Sequence, residues 1–191
     1  MPINERDNNS KTPLHFAAEN NNLEIVENLI ASGANIYAKD KYGCSALHIA
    51  VINNAKETVE FLISKGMNVN SKSEDGKTPL HYASEFNRVE IARYLISCGA
   101  HINAKDKYGY TCLHLAAKSN SSDVARLLIS NRSYINVRDC NGLTPLQLAD
   151  QYKSTKTAEV IDPSRVKSSD GCEIFCGLLF KFIISLLENK Q

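Results

Sequence analysis

The chain has 191 residues, 43% hydrophobic and 23% charged, and its 22 Lys and Arg against 21 Asp and Glu leave a net charge of only +1. This is the composition of a folded, water-soluble chain, and the near balance excludes the bulk electrostatic pull by which basic proteins gather nucleic acid or acidic membrane. Six cysteines without CxxC pairing predict thiols used mostly as small apolar side chains in a reducing compartment. An N-terminus with no basic stretch leading into an apolar core predicts an intracellular, cytoplasmic protein.

In chain order, Thr12-Pro13-Leu14-His15 opens the first predicted helix, with Thr12 as a favourable N-cap and Pro13 at the first helical position, where a missing N–H costs nothing. A second amphipathic run follows from Leu23 to Ile30 and stops near Gly33, a residue that reaches the left-handed cap conformation easily. The same order then returns every 33 residues, with units starting near residues 7, 40, 73, 106 and 139. His15, His48, His81 and His114 keep the step, followed by Gln147, as do Leu29, Leu62, Leu95 and Leu128, followed by Ile161. Asp7, Asp40, Asp106 and Asp139 keep it too, with Ser73 in the third unit, and Gly66 and Gly99 repeat Gly33. Arg132 replaces that glycine in unit four and predicts a weaker or differently built helix end, at a cost of about 1 kcal/mol. A fixed period of this size predicts a stacked array, because one unit cannot bury its own apolar face. The ends fit such an array: Asn20, Asn21, Asn22 and Asn28 make the first unit polar, and Ile161-Asp162-Pro163 cuts the fifth short.

The pattern Asp-x-x-Gly-x-Thr-Pro-Leu-His-x-Ala, a second helix, then Gly-Ala-x-x-Asn resembles the ankyrin repeat, over roughly residues 5–163. The resemblance implies an all-α solenoid of helix-turn-helix pairs joined by β-turn or hairpin loops. It implies a non-enzymatic protein-recognition module, a scaffold, adaptor or inhibitor. It also implies that the repeated histidine hydrogen-bonds within and between units. Partners in that family are held by turn tips and the exposed ends of the first helices, along the concave face. In this sequence the tips are Asn8, Asn9 and Lys11; Lys41, Tyr42 and Cys44; Glu74, Asp75 and Lys77; Lys107, Tyr108 and Tyr110; and Cys140, Asn141 and Leu143. The helix ends are Glu19, Asn20, Ile52, Asn53, Glu85, Phe86, Lys118 and Ser119. Tyr42, Tyr108 and Tyr110 stand out, since tyrosine combines contact area with a polar tip.

Metal and cofactor binding are not expected. Equivalent histidines on helices stacked about 10 Å apart cannot share an ion whose bonds are about 2 Å long. No phosphate loop, nucleophile elbow or paired-carboxylate signature nominates a catalytic residue. Lys39, Lys72, Lys105 and Arg138 form a charge ladder that the adjacent Asp40, Asp106 and Asp139 are expected to neutralise by local pairing.

After a polar linker at 164–172, residues 173–191 predict an apolar amphipathic helix. Its apolar run, residues 174–187, spans about 21 Å, short of the roughly 30 Å core of a bilayer, so a transmembrane anchor is not expected. Three readings stay open: a lid on the fifth unit, which is favoured, attachment to a membrane surface with Cys172 or Cys176 acylated, or an association helix. The membrane reading makes the chain a membrane-associated regulator whose tail sets its location.

Overall fold

A computed structural model describes residues 2–166; the predicted C-terminal helix and most of its linker lie outside the described residues. Among the described residues, ten α-helices form five pairs: α1 (Pro13–Glu19) with α2 (Leu23–Ala31), α3 (Ala46–Ile52) with α4 (Lys56–Ser64), α5 (Pro79–Glu85) with α6 (Val89–Ser97), α7 (Cys112–Lys118) with α8 (Ser122–Ser130), and α9 (Pro145–Gln151) with α10 (Thr155–Ile161). A 3-10 turn, Pro163–Arg165, follows. Each first helix packs on its partner and on the first helix of the next pair, so the chain stacks as a solenoid. Helices of seven to nine residues are too short to persist alone in water, and packing must hold them. That packing is one continuous core along the stack, with Leu14, Leu47, Leu80 and Leu113 from the first helices and Leu62, Leu95 and Leu128 from the second.

The framework histidines explain why each pair starts where it does. Thr12, Ser45, Thr78 and Thr111 are the N-caps, and the histidine three residues on completes a capping box. Its Nδ1 accepts the cap residue's backbone N–H at 3.1 Å in all four units. The ring proton therefore sits on Nε2, which donates to a carbonyl of the next unit: Cys44 for His15, Tyr110 for His81 and Leu143 for His114. His48 instead donates to Ser71, in the stretch leading into the third tip. Gln147 keeps half of the device, its Oε1 accepting from Thr144 N–H at 2.9 Å.

The first and second helices are joined through a left-handed residue, Asn21, Asn54, Asn87, Asn120 and finally Lys153. Asparagine tolerates that conformation because its short side chain bonds locally. Two of them also bridge units, Asn87 Oδ1 accepting from Val124 N–H and Asn120 Oδ1 from Thr157 N–H.

The fourth unit shows what Arg132 does to its helix end. Helix α8 has nine residues, as α2, α4 and α6 do, and Arg132 adopts the left-handed conformation itself, at φ 64°. The helix keeps its length but its cap differs, with Asn131 at φ −102° and ψ 28° and its side-chain amide donating to the Leu127 carbonyl, while Arg132 carries the backbone strain.

The charge ladder is also corrected. Asp40, Asp106 and Asp139 are buried and turn away from the lysines; each Oδ1 accepts two N–H groups of its own tip, those of Tyr42 and Cys44 in the second unit. The cations reach along the stack instead: Arg6 donates to the carbonyl of Lys39, Lys39 to that of Lys72, and Lys105 to that of Arg138. A buried carboxylate oxygen that accepts two amide N–H groups is better held there than by a mobile lysine in water.

Candidate functional site

The turn tips form a continuous row. Lys41 N–H donates to Asn9 O, Glu74 N–H to Tyr42 O, Lys107 N–H to Asp75 O and Cys140 N–H to Tyr108 O, all at 2.8–3.0 Å. Close approach of the tips requires glycine: a Cβ on Gly43, at φ 69°, would lie 2.6 Å from the backbone nitrogen of Glu74. The variable side chains are thus carried on a rigid backbone edge.

One pair of positions shows what this edge displays. In units one, three and four the residue just before the N-cap meets the residue eight places on, in the last turn of the first helix. In units one and three the pair is ionic, Lys11 to Glu19 at 2.7 Å and Lys77 to Glu85 at 2.6 Å. Unit two has buried Cys44 and half-buried Ile52 at these positions, and unit five has Leu143 and Gln151. Unit four has Tyr110 and Lys118, with the ammonium 5.8 Å from the ring centroid. The scaffold is constant and the chemistry changes from unit to unit.

The sequences carry the same message. Models of the family described as ankyrin repeats match residues 1–40 and 14–106 as three copies, and residues 95–149 as many copies. The chain belongs to the ankyrin repeat family. No curated protein matches the chain as a relative. In this ankyrin array the fifth pair continues past the matched region to Ile161.

The expected surface residues divide by exposure. Lys41, Tyr42, Asn53, Glu74, Asp75, Phe86, Lys107, Tyr108 and Ser119 are exposed. Ile52, Lys77, Glu85, Tyr110 and Lys118 are half-buried. Tyr42 and Tyr108 stand 59% and 54% exposed, whereas Tyr110 leans on Tyr108 and on the ring of His114, with centroids 6.3 and 5.9 Å away. Tyr110 is therefore a wall of the surface rather than a free tip. The Ile52 carbonyl accepts from the Arg88 guanidinium at 2.8 Å, and the same guanidinium lies 5.9 Å from the Phe86 ring.

Two contributors escaped the sequence reading. Tyr152 is 47% exposed and lies with Lys118 at 5.3 Å from its ring centroid. It is the fifth-unit equivalent of Ser119, so the period itself pointed to it. Tyr82 joins units two and three, its hydroxyl 3.4 Å from the Cys44 sulfur and its ring edge-on to His48. No local signal pointed to it, because only the fold brings Cys44 and Tyr82 together.

The buried titratable groups belong to the framework. Burial lowers all four histidine pKa values, that of His48 to about 4, and pushes the Cys112 thiol up to about 12. With both ring nitrogens engaged, each histidine is neutral and occupied. Among the described residues, no group of three or more His, Cys, Asp or Glu is placed to hold a metal ion.

Proposed function

We infer that the array is a non-enzymatic protein-recognition module, a scaffold, adaptor or inhibitor that takes a protein partner along the tip row and the adjoining ends of the first helices. Ankyrin repeats are in general protein–protein interaction modules, and the family gives that coarse function to this chain. The observation that carries the finer reading is the varying pair across the constant framework: ion pairs at Lys11–Glu19 and Lys77–Glu85, apolar Cys44 and Ile52, and the aromatic–cation pair Tyr110–Lys118. A surface serving stability alone has no need of such differences, whereas recognition does. Exposed Tyr42, Tyr108 and Tyr152 supply contact area of the type that dominates binding energies. The cell interior is the compartment that suits unpaired thiols such as Cys44 and Cys112.

The test is affinity capture from lysate of the source cells with the whole chain, with a variant carrying Tyr42→Ala, Tyr108→Ala and Tyr152→Ala, and with a control carrying Tyr37→Ala and Tyr134→Ala. Tyr37 and Tyr134 are 63% and 65% exposed but lie in the turns after the second helices. Proteins lost with the first variant and kept by the control support the docking surface. Proteins lost with the control and kept by the first variant refute it.

A further inference from the structure

Lys118 stands against two aromatic rings of this surface and has no anion beside it among the described residues. In the first and third repeats the equivalent helix-end position is a glutamate, closed by a lysine of the tip. In the fourth repeat the sign is reversed and the tip residue is Tyr110, so the charge is held by rings alone: its ammonium is 5.8 Å from Tyr110 and 5.3 Å from Tyr152. Among the described residues no carboxylate lies within ion-pair distance of Lys118. The neighbouring acids are engaged elsewhere: Glu85 with Lys77, Asp150 with Arg165, and Asp106 and Asp139 with the amides of their own tips.

Resting on the docking surface inferred above, we propose that the Tyr110–Lys118–Tyr152 cluster anchors the partner, and that the partner presents an acidic peptide segment whose side-chain carboxylate pairs with Lys118 between the two rings. An ammonium set against two aromatic rings, on a half-buried lysine, is short of hydrogen-bond acceptors that a carboxylate supplies best. Its place in the last turn of α7 suits the helix dipole, which accounts for a cation there but not for two tyrosines around it. Tyr108, tilted against Tyr110, and Phe86, on the neighbouring repeat and 43% exposed, offer apolar contact beside the charge. The segment is therefore acidic with an apolar side chain close to the acid. Single-stranded nucleic acid also uses lysine and aromatic rings, but it needs a continuous basic track. Here Glu74, Asp75 and Glu85 of the third repeat interrupt one.

The test is a phage-displayed random peptide library panned on the full chain, with enriched sequences made as labelled peptides and titrated by fluorescence anisotropy. Expected are peptides sharing an Asp or Glu, weakened about tenfold or more by Lys118→Met or by changing that acid to its amide, and largely restored by Lys118→Arg. Lys118→Glu paired with an acid-to-lysine peptide should recover binding, and every variant is first shown to unfold at the parent's temperature. Peptides that lack an acid, or that bind Lys118→Met as tightly as the parent, overturn the proposal. If such peptides are still lost on Tyr42→Ala with Tyr108→Ala, the docking surface stands and only its partner chemistry falls. If neither change matters, both fall. An oligouridylate that displaces the peptides and itself depends on Lys118 overturns the commitment to a peptide, as does a library that yields no binder.

Discussion

His48 donates from Nε2 to the carbonyl of Ser71 at 3.1 Å, while its Nδ1 accepts the N–H of Ser45. This arrangement requires a neutral ring, and burial lowers the His48 pKa from 6.5 to about 4. Above pH 6.5 the ring is neutral folded or unfolded; below it the unfolded chain gains a proton that the folded chain refuses. Stability from this group is therefore complete above pH 6.5 and is lost as the pH falls toward 4, by about 3 kcal/mol. His15, His81 and His114 shift in the same direction. Urea midpoints should fall steeply across that window. His48→Gln, which copies the cap that Gln147 already makes, should be less stable at neutral pH by about 1 kcal/mol and flatter with pH. Parallel pH curves for parent and variant would contradict the assignment.

Thr58 is fully buried in α4 and its hydroxyl has no hydrogen-bond partner. The equivalent position holds Ile91 and Val124 in the next repeats, and both are as buried. Thr58→Val keeps the shape and removes an unmet polar group, and should stabilise the array by about 1 kcal/mol, read as a raised melting temperature. A lowered one would show that the hydroxyl is satisfied in solution.

Two positions depart from the framework and should respond to restoring it. Arg132→Gly relieves the left-handed strain at φ 64°. Ser73→Asp replaces a tip hydroxyl that accepts one N–H, from Lys77, with a carboxylate built to accept two, as Asp40 and Asp106 do. Each should add about 1 kcal/mol in chemical denaturation. No gain at Ser73→Asp would mean that the third tip is set by its neighbours rather than by its own side chain.

The first repeat exposes what the others bury. Ile25 is 48% exposed, whereas its equivalents Thr58, Ile91, Val124 and Thr157 are at most 1% exposed. Ile91→Ala should cost about 2–5 kcal/mol and Ile25→Ala less than about 1 kcal/mol in denaturant titrations. Equal costs would show that the outer face of the first repeat is covered in solution.

The fold was legible because its signals are local and repeated: cap residue, proline, histidine and glycine each recur at one step, and each has a single mechanical role. The left-handed asparagines were equally periodic, but only Asn21 was noticed, and that as polarity, because conformation at a helix–helix turn is not written in hydrophobic spacing. The aspartates were misread because sequence adjacency to Lys39, Lys105 and Arg138 suggested pairing. Adjacent residues on an extended tip point to opposite sides, and the carboxylate goes inward to the amides. The surface was legible as positions but not as chemistry. Nothing local says that Tyr110 rests on His114, or that Lys118 lies between Tyr110 and Tyr152. The contact of Lys118 with Tyr152 joins residues that only stacking brings together, and the other two depend on how the tip folds onto its own helix.

The account rests on the tip row and the ends of the first helices being the face that partners cover. Hydrogen exchange of the whole chain, free and bound to a captured partner, tests this most directly. The account predicts added protection at the tips around Tyr42, Asp75 and Tyr108 and at the ends of α5, α7 and α9, with α4, α6 and α8 unchanged. Protection confined to α4, α6 and α8, with the tips exchanging as in the free chain, would contradict it.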